Sequence, residues 1–326
     1  MARFRFGPFC SRALAALLAV AAAVGVAACG GSASGSSTRS AATSGRKGVT
    51  IHAAEFTWTA AELTDDILAA IVRQHPQLGV SQFQMTTLDP APAWAGAERG
   101  DINLLTEVEY PNQIPLYEQA KNKVSIVSTT YSGATQGWFV PSYVVAPGGP
   151  AAGLTSVTQL NKYRSVFGGK LYDGDPGWVT TKENIMRLKG YHLDYEDVAS
   201  GETAMLAQLH RAYSLHQPIL IYLWHPLWVF AVYKLTQLSE PKPYAPSCFT
   251  SGDGACAMPA YSAHIAAAKQ LRTEAPRFWA MLERFHISVP AMEQMLAEVQ
   301  KGAPAQTVAN RWVAAHSSQI DSWISS

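Results

Sequence analysis

From Ile219 the chain reads Ile-Leu-Ile-Tyr-Leu-Trp-His-Pro-Leu-Trp-Val-Phe-Ala-Val-Tyr-Lys-Leu, ending at Leu235 and preceded by Gln217-Pro218. The first five residues are continuously apolar, and the run is too short for anything but a buried strand. Pro226 biases His225 away from helix, so the strand is expected to end at Trp224. A buried strand of this kind belongs to an open α/β sheet, where ligands are held beyond the carboxyl ends of the strands. Trp224 is therefore an indole on a stiff support at a position suited to recognition. The competing reading for Trp224 and Trp228 is core packing, since Trp is highly buried on average.

Further strand–turn–helix units precede it. Val49 to Phe56 reads as a strand, and Thr59-Ala-Ala-Glu62 as a capping box opening a helix with Leu63, Ile67, Leu68, Ile71 and Val72 on one face. Trp58 is thereby pinned in the turn between them. Strands are expected over 82–88 and 102–108, separated by the Pro-rich Asp89-Pro-Ala-Pro-Ala-Trp94, and again over 123–128 and 137–146. After Pro147-Gly-Gly-Pro150 a second series begins. Asp173-Gly-Asp-Pro-Gly-Trp178 is a turn by composition, Thr180-Thr-Lys-Glu183 a second capping box, and 193–199 a strand. Pro, Ser and Gly then dominate until Pro259, followed by a strand over 262–267 and helices near 274–285, 289–301 and 304–324. Two blocks of such units predict an α/β protein of two lobes with a ligand cleft between them.

The first 47 residues are of another kind. Arg3, Arg5 and Arg12 lead an apolar run over 13–28, which reads as an export signal. It ends in Val26-Ala-Ala-Cys29-Gly30, resembling the bacterial lipobox, in which the cysteine is lipidated after cleavage. Residues 30–47 are Gly, Ser, Ala and Thr with a few basic residues, a flexible tether. All 24 acidic residues lie beyond residue 47 against 19 of the 25 basic ones, so the remainder carries a net charge of −5. That argues against a nucleic-acid partner, which needs a basic surface. Cys10 leaves with the signal and Cys29 takes the lipid. Cys248 and Cys256 are expected to form a disulfide outside the cytoplasm. The alternative, a metal site, finds no His or Cys at ligand spacing nearby.

The search for catalysis yields no Gly-x-Ser-x-Gly, no His-Glu-x-x-His and no phosphate-binding glycine loop. Neither cofactor nor metal is expected, and the chain is read as a binding protein rather than an enzyme. The aromatics are more informative. Trp58, Tyr110, Trp178 and Trp224 each fall at a strand end or in the loop after it, and such ends collect on one edge of a sheet. Indole faces attract a weakly hydrated cation, above all a quaternary ammonium, by ~0.5–2 kcal/mol per ring. Trp94, Trp279, Trp312 and Trp323 are read as core.

Gly137-Trp-Phe-Val-Pro-Ser-Tyr-Val144, Asp175-Pro-Gly-Trp178, Ser200-Gly-Glu-Thr-Ala-Met-Leu206 and Leu223-Trp-His-Pro-Leu-Trp228 carry a resemblance. With weaker support from Leu116-Tyr-Glu-Gln119 and the 258–265 run, the mature chain resembles the glycine betaine/choline/proline betaine ABC-transporter substrate-binding proteins. The resemblance implies a type II periplasmic-binding-protein-like fold, with residues 48–144 plus 242–326 in one lobe, 145–241 in the other, and two crossings as a hinge. It also implies an extracytoplasmic receptor, anchored by lipid, that passes a small quaternary ammonium solute to an ABC permease and its ATPase. The family's cage tryptophans fall on Trp178 and Trp224, and an early one on Trp58. The family's further Trp, just ahead of a Pro, meets Glu107-Val-Glu-Tyr-Pro111 here and falls on Tyr110 or Glu109. Some relatives read Trp-Thr-Pro-His-Trp, with a carboxylate-binding His. Here His225 has moved forward, where it is kept as a ligand-binding candidate, and Leu227 takes that place, so a cation such as choline is expected to be preferred over glycine betaine. An amino acid or polyamine receptor and a secreted lipoprotein hydrolase are the alternatives.

Overall fold

The computed structural model describes residues 48–325. The export signal, Cys29 and the tether lie outside the described residues. Ten strands form two five-stranded sheets. They are β1 Val49–Glu55, β2 Val80–Thr87, β3 Leu104–Tyr110, β4 Val124–Ala134, β5 Gln136–Pro141, β6 Lys170–Asp173, β7 Glu196–Ala199, β8 Ile221–Trp224, β9 Leu235–Gln237 and β10 Tyr261–Ala268. The helices up to β9 are α1 Thr59–Gln74, α2 Pro90–Arg99, α3 Ile114–Ala120, α4 Ser142–Val145, α5 Val179–Gly190, α6 Glu202–Ser214 and α7 Val229–Val232. The chain closes with α8 Leu271–Glu274, α9 Pro276–Leu282, α10 Val289–Gln300, α11 Ala305–Ala315 and α12 Ser317–Ile324.

The first sheet has the order β2-β1-β3-β10-β4 and the second β7-β6-β8-β5-β9. In the first, β1 runs parallel to β2 and β3, and β10 returns antiparallel between β3 and β4. In the second, β6 is parallel to β7 and β8, while β5 is antiparallel to β8 and β9. Parallel pairs need crossover helices, which cover the sheet faces and turn the strands into fully buried apolar runs. The β8 pattern Ile-Tyr-Leu-Trp is buried throughout, as the opening run predicts. The molecule is thus the expected two-lobed α/β fold, and the carboxyl ends of β1, β3, β6 and β8 carry the residues described below.

Two local expectations are corrected, and one stretch without an assignment gains one. Strand β5 pairs with β8 and β9 in the second sheet, so by sheet membership the first crossing lies at Thr135 and not after residue 144. Its Trp138 and Phe139 are buried in that lobe, and Trp138 carries the guanidinium of the fully buried Arg187 over its ring at 4.1 Å. The Pro-rich stretch between the second and third strands, left unassigned by the sequence, opens a helix, because α2 starts at Pro90. Proline fits there since the first amide of a helix has no intrahelical acceptor. Neither capping box before a Trp turn forms. Trp58 and Trp178 are themselves the extended N-cap residues of α1 and α5, without a side-chain cap bond, which leaves the first helical amides free for other partners.

Candidate functional site

Trp58 follows β1 directly, and its ring stacks on Phe56 at 4.7 Å. Trp178 closes the turn after β6. There the Asp175 side chain accepts from the Gly177 amide at 2.9 Å, and the Asp175 carbonyl accepts from the Trp178 amide and the Thr181 hydroxyl at 3.0 and 2.8 Å. The Trp178 ring lies so close over Gly174 that a Cβ there would occupy the indole's own space. Trp224 ends β8, paired with Gln136 across the strand. Trp178 stands between the other two indoles, 5.6 Å and 85° from Trp58 and 5.2 Å and 80° from Trp224. Each tryptophan is more than nine-tenths buried. Such perpendicular pairs suit the ring quadrupole, and here they also turn indole faces toward one cleft.

These rings, with Glu109, Gln113, Val179, Thr180, Tyr222 and Pro90, enclose a cavity of about 300 Å³ counting its mouth. No Lys, Arg or His is among the lining residues. Glu109, at the end of β3, is the one formal charge. Burial pushes its carboxyl up to about 8, helped by repulsion from Glu107 and Glu183. Glu107 lies behind it, 1% exposed, accepting from the Tyr131 hydroxyl at 2.5 Å and the Thr64 hydroxyl at 3.0 Å. Burial raises it to about 7, opposed by these bonds and by Trp58 beside it.

The cleft is bridged by hydrogen bonds between lobes. The Trp178 indole donates to the Thr57 hydroxyl at 2.7 Å. Glu202, the first residue of α6, accepts from the Thr59 amide and hydroxyl at 2.7 and 3.0 Å. The carboxylate of one lobe thus caps the N-terminus of a helix in the other, in place of the expected Thr59–Glu62 box. Asn112 donates to Glu183 at 3.1 Å. Gly177 sits against Asp89, and a Cβ on it would fall on that carboxylate.

The expected residues Trp58, Trp178, Trp224 and Glu109 thus come together, but two others do not. Tyr110 is 45% exposed and leans edge-on against His264 at 5.6 Å, outside the cavity. Thr106 and Glu107 together oppose Ile265 alone in the β3–β10 ladder, and Glu107 takes the left-handed φ of 54°. This bulge resets the direction of the side chains that follow, so Glu109 rather than Tyr110 faces the cleft. His225 is held away by its ring, stacked on Phe230 at 3.8 Å with Nδ1 3.2 Å from Glu293. Tyr222, Thr180, Val179, Gln113 and Pro90 were not anticipated. Tyr222 had a signal, two positions before Trp224 on the same strand face. Gln113 and Pro90 had none, the first being aimed by a 2.8 Å bond from the Trp94 indole. Cys248 and Cys256 are joined, with Cα atoms 6.5 Å apart.

Comparison with known proteins gives a consistent result. The sequence matches the OpuAC family, described as the substrate binding domain of ABC-type glycine betaine transport system, over residues 49–315. It is 24% identical over 154 residues to the glycine betaine/carnitine transport binding protein GbuC of Listeria monocytogenes serotype 1/2a (strain 10403S). That match spans about half of each protein, 46% of this chain and 47% of the relative. The fold is similar to lactococcal OpuAC in its closed-liganded conformation with glycine betaine (TM-score 0.70, 21% identity, 85% of this chain and 99% of that one). It is equally similar to an ABC-transporter choline binding protein in complex with choline (TM-score 0.71, 20% identity, 85% and 91%). A third, the glycine/betaine/L-proline-binding protein ProX of Borrelia burgdorferi, aligns with TM-score 0.71 at 19% identity over 84% of this chain and 96% of that one. With the matched region covering nearly all the described residues, this chain belongs to the family of substrate-binding domains of ABC-type glycine betaine transport systems.

Proposed function

We propose that this protein is the extracytoplasmic solute receptor of an ABC importer, and that it holds a quaternary ammonium solute in a cage formed by Trp58, Trp178 and Trp224. The observation that carries the reading is the composition of the cavity wall: three indoles and one carboxyl, with no cationic side chain. Such a wall offers ring faces to a methylated cation at ~0.5–2 kcal/mol each and offers an anion no cationic side chain to pair with. A primary ammonium of an amino acid or polyamine needs hydrogen-bond acceptors on several sides, and this wall supplies few. Glu109 adds direct attraction for a net cation, which favours choline over glycine betaine. The betaine carboxylate has its own place, since Val179 and Thr180, at the N-terminus of α5, border the cavity and helix N-termini favour negative charge. Captured solute passes to a membrane permease driven by an ATPase, and Cys29 anchors the receptor by lipid.

Calorimetry of the wild type and of Trp224→Ala against choline and glycine betaine tests the cage. Wild type binds both solutes, choline more tightly, and Trp224→Ala loses both. Retained binding in Trp224→Ala rules out the cage. Changing Cys29 to Ser releases the protein from the membrane fraction with solute binding intact, and membrane retention after a high-salt wash would contradict lipid anchoring.

A further inference from the structure

A second cavity, of about 720 Å³ counting its mouth, shares the lining residue Val179 with the cage. Its inner wall is one face of α5, where Val179, Glu183 and Met186 recur at helical spacing. Across the cleft stand Ile114 and Pro115 at the start of α3, and the outer wall is Phe249 of the disulfide loop. That wall is firmly built. The Ser247 carbonyl accepts from the Gly252 and Ser251 amides at 2.7 and 3.0 Å, the disulfide closes the loop, and Gly254 packs directly against Met186. Lys182, Asn112 and Thr250 also line the space, with apolar side chains between them, and a loop tied in this way lowers the ordering cost of binding there.

We propose that this annexe is a tail subsite: a solute whose trimethylammonium head sits in the cage lays an apolar tail of a few carbons past Val179, between Met186 and Phe249. The protein then selects among quaternary ammonium compounds by what is attached to the head. This rests on the cage reading above, and the two are separable by experiment. The probes are tetramethylammonium and the n-alkyltrimethylammonium ions from ethyl to hexyl, titrated calorimetrically into the intact chain. In wild type, affinity rises over the series by about fourfold per methylene, the value expected for burying each one. In Phe249→Ala and, on the opposite wall, Met186→Ser, tetramethylammonium binds as before and the rise with chain length is reduced. Two substitutions on separate elements keep the test intact if one variant fails to fold. A flat or falling series in a wild type that binds tetramethylammonium overturns the annexe and leaves the cage. An unchanged slope in both variants also overturns it, because the tail then lies elsewhere. Failure of wild type to bind tetramethylammonium or choline removes both readings.

Discussion

A single carboxyl, Glu109, sets the electrical character of the proposed site. Burial and the neighbouring Glu107 and Glu183 push it up to about 8, so near neutral pH the empty protein holds it mostly protonated. A bound cation stabilises the ionised form and lowers that value. Choline binding therefore releases a proton below pH ~8, and its affinity climbs with pH until the carboxyl is ionised without help. Calorimetry from about pH 6 to pH 9 in buffers of different ionisation heat should show this climb and the released proton. Glycine betaine, with no net charge, should show little of either. Glu109→Gln should flatten the choline profile and weaken choline about tenfold at pH 8, or ~1.4 kcal/mol; a profile unchanged in that variant excludes Glu109 from the mechanism. The three tryptophans of the site were legible because strand ends can be read from apolar runs and the following turns. The choice between Glu109 and Tyr110 was not. It depends on the bulge at Glu107, where two residues face one across a ladder whose register is fixed only when β10 returns from 150 residues further on.

At the level of elements, the N-termini of α1 and α5 both face the cleft with an extended Trp as N-cap. Their free amides serve the space between lobes and not their own first turns. The α1 terminus is capped by Glu202 from α6, a bond that exists only while the lobes are together. Substituting Glu202 by Ala should weaken choline and glycine betaine by equal factors, about tenfold given ~1 kcal/mol for a lost cap and somewhat more for a charged one. Titrating both solutes checks this, and a change in their ratio would place Glu202 in recognition instead. The sequence misleads here for a physical reason. Thr59 and Glu62 have the spacing of a capping box, but the Thr59 amide that Glu62 would bond is taken by Glu202, a residue 143 positions away. The Pro-rich α2 was equally opaque, since prolines at its first and third positions give no helical signal until the helix start is known to lie on the first of them.

The whole molecule carries several buried acids about one cleft: Glu107 and Glu202 raised to about 7, Glu109 and Glu183 to about 8, burial being the main cause in each. In the unfolded chain these groups ionise near the ordinary glutamate value. Between that value and pH ~8 the folded state thus binds more protons than the unfolded one, and stability falls as pH rises. The melting temperature of the solute-free protein should decline from about pH 5 to pH 8.5, and saturating choline should shift the high-pH value upward most. A melting temperature that rises over that range would contradict the reading. The two-lobed outline was readable from two blocks of αβ units, but the crossing at Thr135 was not, because β5 is apolar on both faces and would suit either sheet. At the seam between the lobes stands Gly177, where a methyl group would have to push the Asp89 carboxylate aside. Gly177→Ala would act as a doorstop. Encounter of solute with the half-site would go on at the usual rate, while the sealing step that makes departure slow would be lost. Stopped-flow fluorescence should then record near-normal capture and a much shortened residence time, turning a receptor that stores its solute into one that only samples it.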